Sequence, residues 1–184
     1  ERLVAARAAR QPAAYVVETG SWQRHMDHDG HAARFASDRS GMEEDGRTFV
    51  AIHNPPLRLA IVGAVHIAQA LVPMARIAGY DPVIIDPRAA FGSAARFPGE
   101  KLMEDWPDEA LAEVGLDTRT ALVLLTHDPK LDDPALHIAL KSEAFYIGAL
   151  GSTRTHAKRV ERLEQAGFKP EQIARISGPV GLDI

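Results

Sequence analysis

The stretch "AIVGAVHIAQA", residues 60–70, decides how this chain should fold. Branched apolar residues, a glycine and a helical pattern predict the strand, turn and helix that open a nucleotide-binding α/β domain. The dinucleotide form of this turn, G-x-G-x-x-G, has three glycines, whereas this chain has Gly63, Val65 and Ala68 at those positions. Gly63 keeps a tight turn at a helix N-terminus, which attracts anions. The branched Cβ of Val65 stands where a pyrophosphate would contact the backbone, which disfavours NAD in its usual pose.

The composition of the 184-residue chain excludes several classes of protein. It contains no cysteine, so disulfides, thiolate zinc sites and cysteine nucleophiles are excluded. A formal net charge of −4 and the lack of a basic run argue against a nucleic-acid partner. No apolar run approaches the ~20 residues of a membrane helix, and we expect no signal peptide. We therefore expect a cytoplasmic protein without a nucleic-acid or membrane partner.

Alternating strand and helix patterns predict the fold class after the Pro55-Pro56 pair. Apolar runs, typical of strands buried on both faces, lie at residues 58–62, 82–86, 121–125 and 145–150, and residues 100–104 form a further short predicted strand. Helical patterns separate these runs. The sequence therefore predicts an α/β fold with a doubly wound, mostly parallel sheet over residues 57–184.

The residues before the proline pair have a different pattern. We expect residues 1–56 to form a small N-terminal extension or partial module. It should contain a helix over 1–10, strands over 14–19 and 47–54, and a polar turn over 20–31.

Capping and spacing signals place the helices of the main domain. Ile67, Leu71, Met74 and Ala78 share one face of the first helix, and Pro73 inside it should bend it. Asp108 should cap a helix over 109–114. The pair Asp133-Pro134 has the pattern of an N-cap followed by proline at the first helical position. Ser152 should begin a long helix that Gly167 ends.

Polar residues follow the predicted strands, where ligands of open parallel sheets bind. The candidate cofactor-binding residues are Gly63, Val65, His66, Asp86, Arg88, Thr126, His127, Asp128, Lys130, Gly151, Ser152 and Arg154.

Several of these residues have two interpretations. Asp86 lies about 20 residues after the turn, where a ribose-binding acid is expected, but it could equally cap its strand. Arg88 suits a phosphate. Arg154 could clamp an anion at its helix start or be a solvated cation.

Pairs that resemble catalytic groups have simpler explanations. His127 and Asp128 could form a general-base dyad, although neighbouring residues at a strand end point in different directions, so polar ligand contacts or loop hydrogen bonds are favoured. Ser152 with His156 resembles a nucleophile and base but is better explained as a helix cap beside an exposed histidine.

Two further segments favour solvated structure. His25, His28 and His31 invite a metal hypothesis, but their segment has the composition of a solvated turn. The charges of residues 156–165 fit a solvated helix face around Val160 and Leu163. We predict no catalytic residue and no metal site.

Five motifs resemble a known family. They are "IVGAVHIAQALVPMARIAGYDPVIIDPR", "RFPGEKL", "LTHDPKLDDPAL", "FYIGALGSTRTHAKRVERL" and "GPVGLDI", in this order. Together they are similar to the XdhC/CoxI family, the xanthine dehydrogenase accessory factors, over residues 56–184. Val65 departs from the G-A-G-H form common in that family.

The resemblance implies a Rossmann-like domain that binds molybdenum cofactor. It also implies support of cofactor sulfuration and delivery to a molybdenum hydroxylase such as xanthine or carbon monoxide dehydrogenase. The implied partners are that client enzyme and a cysteine desulfurase, and a homodimer is compatible with the family. We therefore expect a non-catalytic maturation factor. The alternatives are an NAD(P)-dependent oxidoreductase and a scaffold that docks a dehydrogenase without holding a ligand.

Overall fold

The computed structural model describes residues 1–88 and 90–181. Ala89 and residues 182–184, which end the motif "GPVGLDI", lie outside the described residues. The chain divides into two compact units, Glu1–Pro55 and Pro56–Ile184.

The N-terminal unit is a four-stranded antiparallel sheet with two helices. Its elements are α1 (Arg2–Ala8), β1 (Ala13–Glu18), β2 (Arg24–Asp27), α2 (Ala32–Ser37), β3 (Gly41–Met42) and β4 (Thr48–His53). The strands lie in the order β2-β1-β4-β3, around a small core of Ala14, Val16 and Val50. The prediction of a polar turn over 20–31 is wrong in part, because residues within it form β2 and pair with β1.

The C-terminal unit is a six-stranded sheet in which every neighbouring pair is parallel. Its strands are β5 (Leu57–Val62), β6 (Tyr80–Ile85), β7 (Lys101–Met103), β8 (Thr120–Leu124), β9 (Tyr146–Ala149) and β10 (Ile176–Ser177). Their order is β10-β9-β8-β5-β6-β7, so successive strands run outward in both directions from the β5–β8 pair. This topology confirms the predicted doubly wound α/β fold.

Side chains of the central strands pack into a hydrophobic core on each face of this sheet. Ala60, Val62 and Leu124 lie in one buried cluster, whereas Ile61 and Val123 lie in the other. Neighbours in a strand point to opposite faces, so these continuous apolar runs are required by burial on both sides.

Within residues 56–88 and 90–181, five helices accompany these strands. They are α3 (His66–Ile77), α4 (Pro107–Val114), α5 (Pro129–Ala139), α6 (Thr153–Gln165) and α7 (Pro170–Ile173). Two predicted starts are wrong. Asp108 lies in the first turn of α4 rather than capping it, because Pro107 occupies the first helical position. Helix α5 is capped by Asp128, not Asp133, and its first proline is Pro129.

Helix α3 buries a different stripe from the predicted one. Ala68, Val72 and Ala75 are its buried residues, while Met74 is 65% exposed and Ile67 is 39% exposed. Leu71 of the predicted stripe packs against this core while remaining partly exposed, so the prediction is wrong for Ile67 and Met74.

The turn between β5 and α3 allows no side chain at Gly63. Its φ is +108°, and a Cβ there would lie 2.6 Å from Cγ2 of Thr126, the residue that follows β8 by two positions. The two central strands can therefore end side by side only with glycine at this position.

The Gly63→Ala substitution should lower the free energy of unfolding by about 3 kcal/mol, because it adds a steric clash to an unfavourable backbone conformation. Gly79→Ala is the matched control, since Gly79 also has a positive φ of +83° but open space around its Cα. The control should cost only about 1 kcal/mol. Urea unfolding followed by circular dichroism measures both, and equal losses would contradict the close approach to Thr126.

Candidate functional site

A pocket of about 460 Å³ lies where the strand order reverses, at the carboxyl ends of β5 and β8. Ligands of doubly wound sheets bind at this position. We call it the switch-point pocket. The residues that line it are Val65, His66, Ile67, Arg88, Ala90, Phe91, Arg96, Leu125, Thr126, His127 and Leu150.

The first wall of the switch-point pocket is the start of α3. Val65 is the N-cap residue, with extended backbone, and His66 is the first helical residue. Val65 is partly buried against the apolar cluster on this side of the sheet. Its side chain therefore occupies the wall that backbone alone would form if the residue were glycine.

Asp86 fixes this turn from the next strand. Its carboxylate is fully buried and accepts a hydrogen bond from the Ala64 amide at 2.8 Å. It also accepts bonds from the Arg88 amide at 3.0 Å and from Nε and Nη2 of Arg88, both at 2.8 Å. Four donors occupy its two oxygens, so the geometry favours a positioning role for Asp86 over direct contact with a ribose.

The ionisation of Asp86 follows from these bonds. Burial alone would raise the pKa of its carboxyl group. The Arg88 side chain and the two backbone amides outweigh burial and hold the pKa below its ordinary value. Asp86 therefore stays charged at neutral pH and keeps Arg88 in a fixed orientation.

Arg88 and Phe91 form a rigid platform at the second wall. The Arg88 guanidinium lies 4.2 Å from the centroid of the Phe91 ring, within the range of a cation–π contact. Nε and Nη2 of Arg88 are bound to Asp86, which leaves Nη1 for a ligand in the pocket.

Arg96 ties the loop after β6 to the start of α3. Its Nη1 donates to the carbonyl oxygens of Ala64 at 2.7 Å and Phe91 at 2.5 Å, and its Nη2 donates to Oε1 of Gln69 at 2.9 Å. Arg96 thus stabilises the wall that holds the Phe91 ring, although it lies in none of the predicted site positions.

A buried ionic chain supports the floor of the switch-point pocket. Thr126 is 8% exposed, and its hydroxyl donates to Oδ1 of Asp132 at 2.5 Å. Oδ2 of Asp132 accepts from Nη2 of Arg159 at 3.1 Å, and the same nitrogen donates to the Leu150 carbonyl at 2.9 Å. Burial raises the pKa of Asp132, and its bonds to Thr126 and Arg159 oppose the rise.

These hydrogen bonds correct the prediction that the charges of residues 156–165 lie on a solvated helix face. Arg159 is 1% exposed, so it does not belong to a solvated face of α6. Its partner Asp132 lies 27 positions earlier, and no local sequence pattern links the two residues.

The structure brings five predicted site residues together at the switch-point pocket: Val65, His66, Arg88, Thr126 and His127. Gly63 and Asp86 act behind its walls. His127 has a φ of +47° and is exposed at the pocket edge, so its imidazole and that of His66 are available for ligand contacts.

The other predicted residues lie elsewhere. Asp128 caps α5 by accepting from the Lys130 amide at 3.0 Å, and Ser152 caps α6 by accepting from the Thr155 amide at 3.1 Å. Gly151 has a φ of +142°, and a Cβ there would meet Thr155. Arg154 lines a separate cleft.

Neither pair of residues that resembles a catalytic group in the sequence has the contacts of a catalytic dyad in the structure. Within residues 1–88 and 90–181, no hydrogen bond joins His127 to Asp128, whose carboxylate serves the helix cap. The Ser152 hydroxyl is likewise used by its cap. The pKa of His156 is lowered by burial and by the nearby Arg159 charge, which favours its neutral form.

The histidine-rich segment of the N-terminal unit binds its own neighbours. His31 lies 3.6 Å from carboxylate oxygens of both Asp27 and Glu43, and Nδ1 of His28 lies 3.0 Å from the Pro12 carbonyl oxygen. Among the residues that the structure describes, no three histidine or acidic side chains form a metal-binding group. None of the described helices has the length and apolar character needed to cross a bilayer.

Sequence reasoning missed six of the residues that line the switch-point pocket: Ile67, Ala90, Phe91, Arg96, Leu125 and Leu150. Leu125 and Leu150 end apolar runs and resemble ordinary core residues. Arg96 begins the motif "RFPGEKL", which was a signal for its importance, but its contacts join residues 27 and 32 positions apart.

Comparison with known proteins gives a consistent result. The family model described as XdhC Rossmann domain matches residues 59–184. Molybdenum cofactor insertion chaperone PaoD of Escherichia coli strain K12 is 35% identical over 144 residues, which cover 78% of this chain and 38% of that protein. A probable xanthine dehydrogenase subunit of Bacillus subtilis strain 168 is 29% identical over 140 residues, 74% of this chain and 39% of that protein.

A solved structure described as a xanthine dehydrogenase from Bacillus halodurans is also similar. It matches with a TM-score of 0.72 and 26% identity, covering 100% of this chain and 56% of that one. The chain spans about two fifths of the length of the two curated relatives.

Replacing Arg88 tests whether it compensates the buried Asp86. The Arg88→Met substitution should lower the free energy of unfolding by about 2 kcal/mol at pH 7, less than for a fully buried pair, because the Arg88 side chain is 36% exposed. In the wild type, the pKa of Asp86 is lower than its ordinary value of 3.8, so the charged carboxylate stabilises the fold at pH values above 3.8. In the variant, burial raises that pKa, so protonation relieves the loss as the pH falls.

The difference between variant and wild type should therefore shrink between pH 7 and about pH 4. Urea unfolding at several pH values measures it. Arg76→Met is the control, since Arg76 pairs with Asp81 and Glu100 at the surface. A constant difference for Arg88→Met across this range would contradict the role of Arg88.

Proposed function

The chain belongs to the XdhC Rossmann domain family, and from this membership we propose that it is an accessory protein that binds molybdenum cofactor in the switch-point pocket. It supports insertion of the cofactor into a molybdenum hydroxylase of the xanthine or carbon monoxide dehydrogenase type. The names of two relatives, a molybdenum cofactor insertion chaperone and a probable xanthine dehydrogenase subunit, support this function.

The observation that carries the proposal is the combination of surfaces in the switch-point pocket. A pterin is a planar heterocycle, and the Phe91 ring, fixed under the Arg88 guanidinium at 4.2 Å, offers a planar contact surface. The cofactor also has a phosphate, for which Nη1 of Arg88 and the positive end of α3 are suitable partners. Ile67, Leu125 and Leu150 supply the apolar remainder of the lining.

The residues of this chain bind and orient the cargo, and the client enzyme uses the redox chemistry that the molybdenum supplies. Arg88 is held by Asp86 before any ligand arrives, so little side-chain freedom is lost on binding. His66 and His127 lie at the exposed edge of the pocket, where they can contact polar atoms of a cargo without enclosing it. An open site of this kind suits a protein that must also release what it binds.

Sulfuration of the cofactor is the finer part of this proposal. The chain contains no cysteine, so it has no thiol that could carry sulfur. Sulfur would come from a partner such as a cysteine desulfurase, while this chain holds the cofactor.

An NAD(P)-dependent oxidoreductase is the second candidate, and the doubly wound topology supports it. Two observations at the site weigh against it. Val65 fills the turn that a pyrophosphate would approach, and the carboxylate of Asp86 is occupied by four protein donors.

The binding proposal predicts that the chain, purified from a molybdenum-replete host, releases a fluorescent pterin on oxidation. Ala90→Trp should reduce the amount at least about tenfold, since Ala90 is exposed and lines the pocket, and the indole would fill it. Ala94→Trp is the matched control, because Ala94 is exposed in the same loop and does not line the pocket. A molybdenum hydroxylase made without this protein should fold but lack most of its activity. Full client activity in its absence would overturn the proposal.

A separate prediction concerns Val65. Val65→Gly should raise NAD affinity about tenfold, equivalent to about 1.4 kcal/mol, because it removes the branched Cβ from the pyrophosphate path. The fold should survive, since glycine adopts the extended N-cap conformation of Val65 readily. Calorimetry measures the affinity, with Val65→Ala as an intermediate control. Tight NAD binding by the wild-type chain would instead favour the oxidoreductase.

A further inference from the structure

A second cleft, of about 170 Å³, lies between the first turns of α5 and α6. It shares His127 with the switch-point pocket. Pro129 and Thr155 are among its walls, and its cations are Arg154, Lys158, Arg159 and Arg162. We call it the cationic cleft.

The charges around the cationic cleft do not balance. Arg162 is neutralised by Asp133, which accepts from its Nε at 2.6 Å and its Nη2 at 2.9 Å. Asp132 pairs with Arg159 at 3.1 Å. Arg154 and Lys158 are exposed one helical turn apart, and neither has a carboxylate partner within the described part of the chain.

Arg159 is the buried member of this set. Its side chain is 1% exposed, and only Nη2 has acceptors, Asp132 and the Leu150 carbonyl. Nε and Nη1 are buried without a hydrogen-bond partner among the described residues. Buried donors without acceptors are costly and rare in folded proteins, and Arg159, which has two of them, lines the cleft.

The ends of two helices add to the positive potential. Helix α5 has 11 residues and helix α6 has 13, and the first residues of both border the cleft. Ser152 satisfies the Thr155 amide, which leaves earlier amides of α6 at the helix end, where they have no partner within the helix. The helix dipoles favour an anion at this place.

We propose that the cationic cleft binds an oxyanion of the phosphate type, with Arg154 and Lys158 as its direct partners and Arg159 as the buried cation behind them. This site is distinct from the switch-point pocket, and it does not depend on the proposed cofactor function. The phosphate could belong to a ligand in the adjacent pocket, which His127 also lines, or to a separate small anion.

The test titrates inorganic phosphate into the full 184-residue chain and follows the Nε–H resonance of Arg159 by NMR, with chloride at equal ionic strength as the reference. Phosphate should shift this resonance saturably, and chloride should not. The double variant Arg154→Ala/Lys158→Ala should weaken phosphate binding by about tenfold or more, the range for charged hydrogen bonds. Both residues are exposed, so the variant should remain folded.

Lys101→Ala/Lys141→Ala is the matched control, because it removes the same charge at two exposed lysines that do not line the cleft. Its phosphate affinity should equal that of the wild type. No saturable shift in the wild type, or equal losses in both double variants, would overturn the proposal.

A competition experiment separates the two sources of phosphate. If phosphate displaces bound pterin from the wild-type chain but not from Arg154→Ala/Lys158→Ala, the cleft receives a phosphate of that ligand. If both bind together, or if phosphate displaces pterin equally from the two proteins by competing at Arg88, the cleft receives a separate anion. If the wild-type protein binds phosphate but no pterin, the proposal for the cationic cleft stands and the proposed cofactor function is wrong.

Discussion

The contact between Gly63 and Thr126 is the constraint on which the site depends. It brings the ends of β5 and β8 together so closely that a Cβ at Gly63 would lie 2.6 Å from the Thr126 methyl group. The Thr126 hydroxyl then reaches Asp132 in α5, and Asp132 reaches Arg159 in α6. Through this chain the strand ends and two helices are held in one arrangement, and both the switch-point pocket and the cationic cleft border it.

Two buried carboxylates in this unit behave differently because their donors differ. Asp86 accepts four hydrogen bonds, two of them from the guanidinium of Arg88, and its pKa is lowered. Asp132 accepts bonds from one hydroxyl and one guanidinium nitrogen, and its pKa is raised by burial. Burial prevails at Asp132, which has fewer donors and a second carboxylate, Asp133, nearby, whereas hydrogen bonding prevails at Asp86. Asp86 serves as a fixed anchor for Arg88, whereas Asp132 binds only one nitrogen of Arg159.

The fold was predictable from the sequence because burial on both faces leaves a direct signal, the continuous apolar runs of β5, β6 and β8. Helix starts were harder to predict. Near the start of α5, Asp-Pro occurs at both Asp128 and Asp133, and both copies satisfy the local capping rule. The choice between them depends on Asp132, which must lie inside the helix to reach Thr126.

The role of a residue in the pocket was predictable only where a single structural role explains that residue type at its position. Gly63 followed from its turn, and the polar residues after each strand indicated the sheet edge at which the switch-point pocket lies. The partners of Asp86 and Arg159 depend on tertiary contacts that the sequence does not reveal. From the sequence, Asp86 could therefore be interpreted as a ribose-binding acid, and Arg159 as a solvated cation. Arg96 was not predicted as a site residue for the same reason, because its role is to donate hydrogen bonds to backbone carbonyl oxygens that only the tertiary structure brings near it.

The two concave regions differ in how their cations are used, and this difference sets how each can hold a ligand. In the switch-point pocket, Arg88 is bound to Asp86 and Arg96 is bound to carbonyl oxygens, so a ligand meets mainly rings, apolar side chains and imidazoles. In the cationic cleft, Arg154 and Lys158 extend into solvent. Contacts of the first kind depend on shape and burial and respond weakly to salt, whereas exposed ionic contacts are screened by it. If ligands bind as proposed, affinity in the pocket would depend mainly on complementarity, with Nη1 of Arg88 as its ionic contact, while affinity in the cleft would vary with the ions and charged partners nearby.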